Sequence, residues 1–230
     1  MTETGESFRD VQECLRASFP ELGDREVERL AAVTRLCSFS KGEWVCVEGD
    51  GAAVTYWLVS GHVELLKGSV SGRNTVLHVV RAGHFLDLYG VFGGGTAFLS
   101  ARALTPCTVL VMDNRVFSAM LSENAVLAQR VMRALAMRQR MFINKIAVSQ
   151  GKISVRRRVA GWLLHKARVE KTNVLDDVMT REVLAGLLGL SRESLSRQLS
   201  RFVQEGIIRL EKRTIVIEDE EALRRCLLEN

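Results

Sequence analysis

Residues 180–206 read TREVLAGLLGLSRESLSRQLSRFVQEG, and four side chains within them could do chemistry together: Arg192, Glu193, Ser196 and Arg197. An arginine presents a fork of donors that fits guanine O6 and N7, and a glutamate accepts from cytosine N4. An Arg beside a Glu can therefore discriminate between bases, which a merely basic patch cannot. The alternative for the same residues is a solvated helix face with an i,i+4 ion pair between Glu193 and Arg197. Leu195, Leu199, Phe202 and Val203 fall at i, i+4, i+7 and i+8, which predicts a buried stripe. Arg192, Glu193, Ser196, Arg197 and Ser200 are left on the opposite face. Thr180 is placed to cap a helix running to about Leu188, Gly189 to make a tight turn, and Ser191 to cap a second helix ending at Gly206. Two helices joined by a short Gly turn make a helix-turn-helix, and the first turns of its second helix are the ones that enter a major groove. Thr180, Arg181, Ser191 and Arg201 flank the four readers and are expected to touch phosphates of double-stranded DNA.

Beyond Gly206, GIIRL and RTIVIE predict a β-hairpin, or wing, around Glu211, Lys212 and Arg213. Lys212 and Arg213 at its tip would contact phosphate, which positions a protein without specifying sequence. Asp219 then caps a short final helix, EEALRRCLL.

The elements in front must support this reader. Residues 7–35 carry helical spacing. From about 39 to 120, short apolar runs alternate with Gly-centred turns, which indicates an antiparallel all-β unit. SENAVLAQRVMRALAMRQRMFINKIAVSQ holds no Gly or Pro and predicts one long helix from about 122 to 149. Ala128, Met132, Leu135, Gln139, Phe142, Ile146 and Ser149 recur in steps of four and three, a coiled-coil seam with one polar interruption. A helix packed on its own domain would carry a similar stripe. Gly151 ends the helix and Ser154 caps the next, VRRRVAGWLLHKA, so residues 149–153 are a hinge candidate. The expected fold is α+β: an N-terminal antiparallel, jelly-roll-like β-roll sensor over 1–121, a dimerisation helix over 122–150, and a winged helix-turn-helix over 151–230.

Charge follows the same division. The net charge is +5, but residues 1–120 carry −3 and residues 121–230 carry +8. A basic back half suits a polyanionic partner. No apolar run reaches membrane-spanning length, and MTETGESFRD lacks the basic-then-apolar order of a signal peptide, so a cytoplasmic location without membrane is expected. Cys14, Cys37, Cys46, Cys107 and Cys226 are widely spaced with no CxxC pair, which argues against a metal site or a disulfide framework. GxSxG, P-loop, HExxH and GxGxxG motifs are absent, and Gly93–Gly95 reads as a hairpin tip, so an enzyme is not expected.

The order of parts resembles the cyclic-AMP receptor / fumarate–nitrate reduction regulator (CRP/FNR) family across nearly the whole chain. KGEWVCVEGD, YWLVSGHVEL and VVRAGHFLDLYGVF carry the likeness in front, and LGLSRESLSRQLSRFVQEGII carries it behind. The family's motif of Arg-Glu, two residues, then Gly or Ser and Arg falls on Arg192, Glu193, Ser196 and Arg197. The resemblance implies a homodimer reading a palindrome with TGTGA-like or TTGA-like half-sites, recruiting or blocking RNA polymerase under control of a small-molecule or gas effector.

The effector signature departs from the family. Its Gly-Glu-Leu-Gly loop is Asp87-Leu88-Tyr89-Gly90 here, and its Arg-Ser-Ala is Phe98-Leu99-Ser100. Leu88 stands for the ribose-binding Glu and Phe98 for the phosphate-binding Arg, so the effector is expected not to be cyclic AMP; Arg102 lies nearby. Leu88, Tyr89, Phe98, Leu99, Ser100, Arg102, Ile143 and Asn144 are the pocket residues the resemblance implies. Only Cys14 and Cys37 precede the roll, so no iron–sulfur cluster is expected. The cofactor is unknown, with haem an open alternative through His62, His78, His84 or Cys107. A constitutive DNA-binding repressor with a ligand-free roll is the rival reading.

Overall fold

The computed structural model describes residues 8–68, 74–147, 153–176, 179–211 and 214–228, with backbone alone over 144–147. The chain divides into two compact units, residues 1–139 and 140–230.

The first unit opens with α1 (Phe8–Ser18) and α2 (Asp24–Ala31). Eight strands follow: β1 (Thr34–Phe39), β2 (Trp44–Cys46), β3 (Val54–Ser60), β4 (His62–Gly68), β5 (Asn74–Arg81), β6 (His84–Phe85), β7 (Ser100–Ala103) and β8 (Cys107–Asp113). A short helix, α3 (Tyr89–Phe92), lies between β6 and β7. The strands form two antiparallel sheets, ordered β1-β8-β3-β6 and β2-β7-β4-β5. Successive side chains of a strand point to opposite faces, and in β8 both faces are covered. Val109 and Val111 enter the core between the sheets with Leu58, Val63, Leu65 and Leu99. Leu110 and Met112 enter a second core, with Phe19, Trp57, Phe85 and Phe117. Its centre is aromatic: Trp57 lies 4.7 Å from both Phe19 and Phe85, ring centre to ring centre.

Three boundaries differ from the pattern-based expectation. The helical spacing over 7–35 stops early, because Thr34 pairs with Met112 and the β-branched Val33 and Thr34 suit a strand. The long helix does not begin at 122. Residues 114–123 are a separate helix, α4 (Asn114–Glu123), capped by Asp113, whose side chain accepts from the amides of Arg115 and Val116. Asn124 then starts α5 (Ala125–Ala147). Its Oδ1 accepts from the Leu127 amide at 3.0 Å, and its Nδ2 donates to the Glu21 carbonyl and Glu26 Oε1. Gly93 ends α3 instead of forming a hairpin tip, with Gly94 and Gly95 following at positive φ.

The second unit contains α6 (Val155–Glu170), β9 (Val174–Asp176), α7 (Arg181–Leu188), α8 (Arg192–Gln204), β10 (Ile208–Glu211), β11 (Thr214–Ile217) and α9 (Glu220–Cys226). Ser154 caps α6 and Asp219 caps α9, as their positions predict. The wing strands pair, Ile208 with Ile217, and β9 adds a third strand that the periodicity did not reveal. Val159, Leu163, Leu184, Leu195, Leu199, Phe202 and Ile215 form one core. Among the described residues no helix is long and apolar enough to cross a membrane.

The Asn124 side chain makes three hydrogen bonds at the joint between α4 and α5. Asn124→Ala is expected to cost about 1–2 kcal/mol, read as a lower urea midpoint at unchanged m-value. An unchanged midpoint would show that the cap is replaced by water.

Candidate nucleic-acid interface and effector site

The helix-turn-helix is built by local hydrogen bonds. Thr180 Oγ1 accepts from the Val183 amide at 3.3 Å, and Ser191 Oγ accepts from the Ser194 amide at 3.1 Å. Between the helices Gly189 has φ +64°, a conformation that costs an L side chain strain. Leu195, Gln198, Leu199 and Phe202 form the buried stripe of α8. Val203, expected in that stripe, is 40% exposed. At about 100° per residue it falls about 90° from the centre of the stripe, whereas Gln198 falls about 50° away and is buried.

Arg192, Glu193, Ser196, Arg197 and Ser200 are all exposed on the opposite face. The Glu193 carboxyl is held below the usual carboxylate range by a backbone N–H at the helix start, then by the Ser191 hydroxyl, with Arg192 and Arg197 adding to it. It is therefore an ionised, acceptor-only group at neutral pH. Of the flanking residues, Thr180, Ser191 and Arg201 are exposed and Arg181 is half-buried. Lys212 and Arg213 lie outside the described residues, as do Ser149 and Gly151 of the expected hinge.

Two arginines of α6 hold the reader, and nothing local in the sequence marks them. Arg156 makes a two-pronged pair with Glu205, at 2.8 and 2.7 Å, and its guanidinium lies 5.1 Å from the Phe202 ring centre. Arg158 donates to the Gly189 carbonyl at 3.3 Å, so α6 grips the turn itself.

The sensor residues behave differently. Leu88 is 2% exposed in the aromatic core, where an apolar side chain gains most from burial. Leu99 points into the core between the sheets. Ser100 and Arg102 alternate with Leu99 and Ala101 and so face the other side of β7. Ser100 Oγ accepts from the Glu48 amide at 2.9 Å. Arg102 donates to buried Glu64 Oε1 at 2.7 Å and lies 5.3 Å from the Trp44 ring centre, so its charge is already engaged. Tyr89 and Phe98 are exposed, with ring centres 5.4 Å apart, and Lys67 Nζ sits 3.8 Å above the Phe98 ring. These six roll residues thus point in several directions. Ile143 is exposed, and the Asn144 side chain lies outside the described ones.

Cys107 is buried, and burial pushes its thiol up to about 11, which opposes thiolate ligation. His62 and His78 are half-buried and His84 is exposed. Among the described residues no three of His, Cys, Asp and Glu gather as a metal site.

On α5, Leu127 and Val131 are buried against the aromatic core, with Ala134 packed beside them. Arg138 donates to the carbonyls of Phe85 and Leu86, at 2.5 and 2.8 Å, and burial lowers its pKa. Met132, Leu135 and Gln139 occupy the adjoining face and are exposed; Phe142 is half-buried, and the Ile146 side chain lies outside the described ones.

Two family models match the chain: a cyclic nucleotide-binding domain over residues 36–124 and a Crp-like helix-turn-helix domain over residues 157–226. A CRP-like cAMP-activated global transcriptional regulator of Mycobacterium tuberculosis is 29% identical over 209 residues, covering 87% of this chain and 92% of that protein. The cAMP-activated global transcriptional regulator CRP of Escherichia coli O157:H7 is 26% identical over 175 residues, covering 74% and 83%. The chain belongs to the CRP/FNR family. It is a transcription regulator of CRP/FNR type, with a cyclic nucleotide-binding-like domain and a DNA-binding helix-turn-helix. The fold of this CRP/FNR protein is shared with FixK2 from Bradyrhizobium japonicum, at a TM-score of 0.75 and 23% identity over 84% of this chain and 97% of that one. Both regulators named above are described as cAMP-activated.

Arg156 holds the Glu205 carboxyl below its ordinary value of 4.5. A lowered folded pKa means stability that is complete above that value and is lost as pH falls through the folded one. Both side chains are partly exposed, at 28% and 41%, so the pair is worth about 0.5–1 kcal/mol. Glu205→Gln is expected to lose that amount at neutral pH and almost none near pH 3, read by urea denaturation. Equal losses at both pH values would show that Glu205 contributes packing and not charge.

Proposed function

We propose that this regulator is an effector-responsive homodimer that reads palindromic DNA with TGTGA-like or TTGA-like half-sites, and that its effector is not cyclic AMP. The observation that carries the reading is the exposed set Arg192, Glu193, Ser196 and Arg197 on the first turns of a capped helix whose turn is gripped by Arg158. Arg197 and Arg192 offer forks to guanine, and the ionised Glu193 accepts from a cytosine amino group. Thr180, Arg181, Ser191 and Arg201, with Lys212 and Arg213, supply phosphate contacts. Dimerisation through the Met132–Leu135–Gln139 face of α5 sets two recognition helices about 34 Å apart, one DNA turn. The bound dimer then recruits or blocks RNA polymerase.

The effector reading rests on Leu88 and Phe98, which offer neither a ribose anchor nor a phosphate partner. It favours a small organic molecule, with a haem-borne gas as the alternative. An effector acts only if it binds the DNA-competent state more tightly. The apolar packing between the sheets, with Leu58, Leu65, Leu86 and Leu99 all buried, favours a second reading, a constitutive repressor whose roll is a scaffold.

Arg197→Ala is expected to weaken binding to a palindromic site by about 1–3 kcal/mol and to relax preference at one guanine, read by fluorescence anisotropy on a set of single-base variants. Equal losses on specific and random DNA would contradict base reading. Replacing Met132 and Leu135 by Glu is expected to convert a dimer to a monomer in sedimentation and to abolish palindrome binding. Retention of the dimer would place the interface elsewhere.

A further inference from the structure

The second unit carries a cleft lined by no residue of α7 or α8. It is an open cavity of about 660 Å³ bounded by α6, the chain following it, and α9. That size lies within the range of small-molecule sites. Leu164, Ala167 and Leu227 give it apolar lining, and Arg168, Lys171 and Arg224 bring positive charge. Arg224 is occupied by Glu220, which accepts from it at 2.5 and 3.1 Å. Among the described residues no ion pair involves Arg168 or Lys171.

Lys171 stands out for a second reason. It ends α6 at φ +53°, the one non-glycine residue among those described with positive φ. Helices hand this position to glycine or asparagine, because a Cβ there is strained. A cation near a helix C-terminus is favourable in itself. That accounts for a basic last turn, but not for a lysine at a position where glycine costs less. Strain held at a cavity with uncompensated charge is the pattern of a binding position.

We propose that this cleft binds a small organic anion, with an apolar body against Leu164, Ala167 and Leu227 and a phosphate or carboxylate head on Arg168 and Lys171. The site is independent of the roll, so the reader unit takes a ligand of its own.

The test titrates the full chain with phenyl phosphate, and with inorganic phosphate and phenol separately, by isothermal calorimetry. Phenyl phosphate is expected to bind about tenfold more tightly than either fragment, because the cleft engages both of its parts. Lys171→Gly and Arg168→Gln should each weaken it at least about fivefold. Lys171→Gly should melt no lower than the parent, since glycine relieves the strain, and both variants should keep parental affinity for the palindromic DNA. Three results would overturn the proposal: no saturable binding of phenyl phosphate, inorganic phosphate binding as tightly as phenyl phosphate, or affinity unchanged in both variants. A lower melting temperature for Lys171→Gly with unchanged anion binding would reduce Lys171 to a helix terminator.

Discussion

The sheet β1-β8-β3-β6 is buried on both faces, and much of the first unit follows from that. One face meets the second sheet and closes the roll. The other would be an apolar surface in water, so α1, α2, α4 and α5 must cover it. Covering it commits one side of α5, through Leu127 and Val131, and rules out a helix that stands free of its own domain. The side next to it carries Met132 and Leu135, both exposed. A helix with two adjoining apolar faces can serve a core and an interface at once.

The second unit meets a different constraint. A recognition helix must show its polar side to solvent, so everything that orients it has to act from the buried side or the ends. Ser191 fixes its first turn, Phe202 and Leu199 its underside, and Arg156 its last turn through Glu205. Arg158 fixes the turn before it. Arg192, Glu193, Ser196 and Arg197 all lie on the exposed side and take no part in the buried core.

This difference explains what could be read in the sequence and what could not. Thr180, Gly189 and Ser191 act within four residues of their own position, so the caps and the turn of the helix-turn-helix were visible in one line of sequence. Arg156–Glu205 and Arg158–Gly189 join positions 49 and 31 residues apart, and no local signal marks them. Val203 lies outside the stripe because an i+8 step drifts off a stripe only four residues wide. In the roll, the facing of Leu99 against Ser100 and Arg102 depends on the register of β7 with β4, and β4 pairs with β5 through an irregularity at Leu65 and Leu66. Tertiary pairing of this kind decides which side chain is inside, and so the expected effector pocket was the least legible part of the chain.

Arg138 ties these themes together. Its guanidinium spans from α5 to two successive carbonyls of a strand only two residues long and of the residue after it. Those carbonyls stand immediately before Asp87 and the glycine-rich stretch that begins at Gly90. A two-pronged contact of this kind opposes both sliding and rotation at the cost of two hydrogen bonds. Turning α5 about its axis would have to drag the start of that stretch with it, or else leave a half-buried cation without these two acceptors. The helix and the start of that stretch are therefore coupled through Arg138, and separating them breaks both hydrogen bonds.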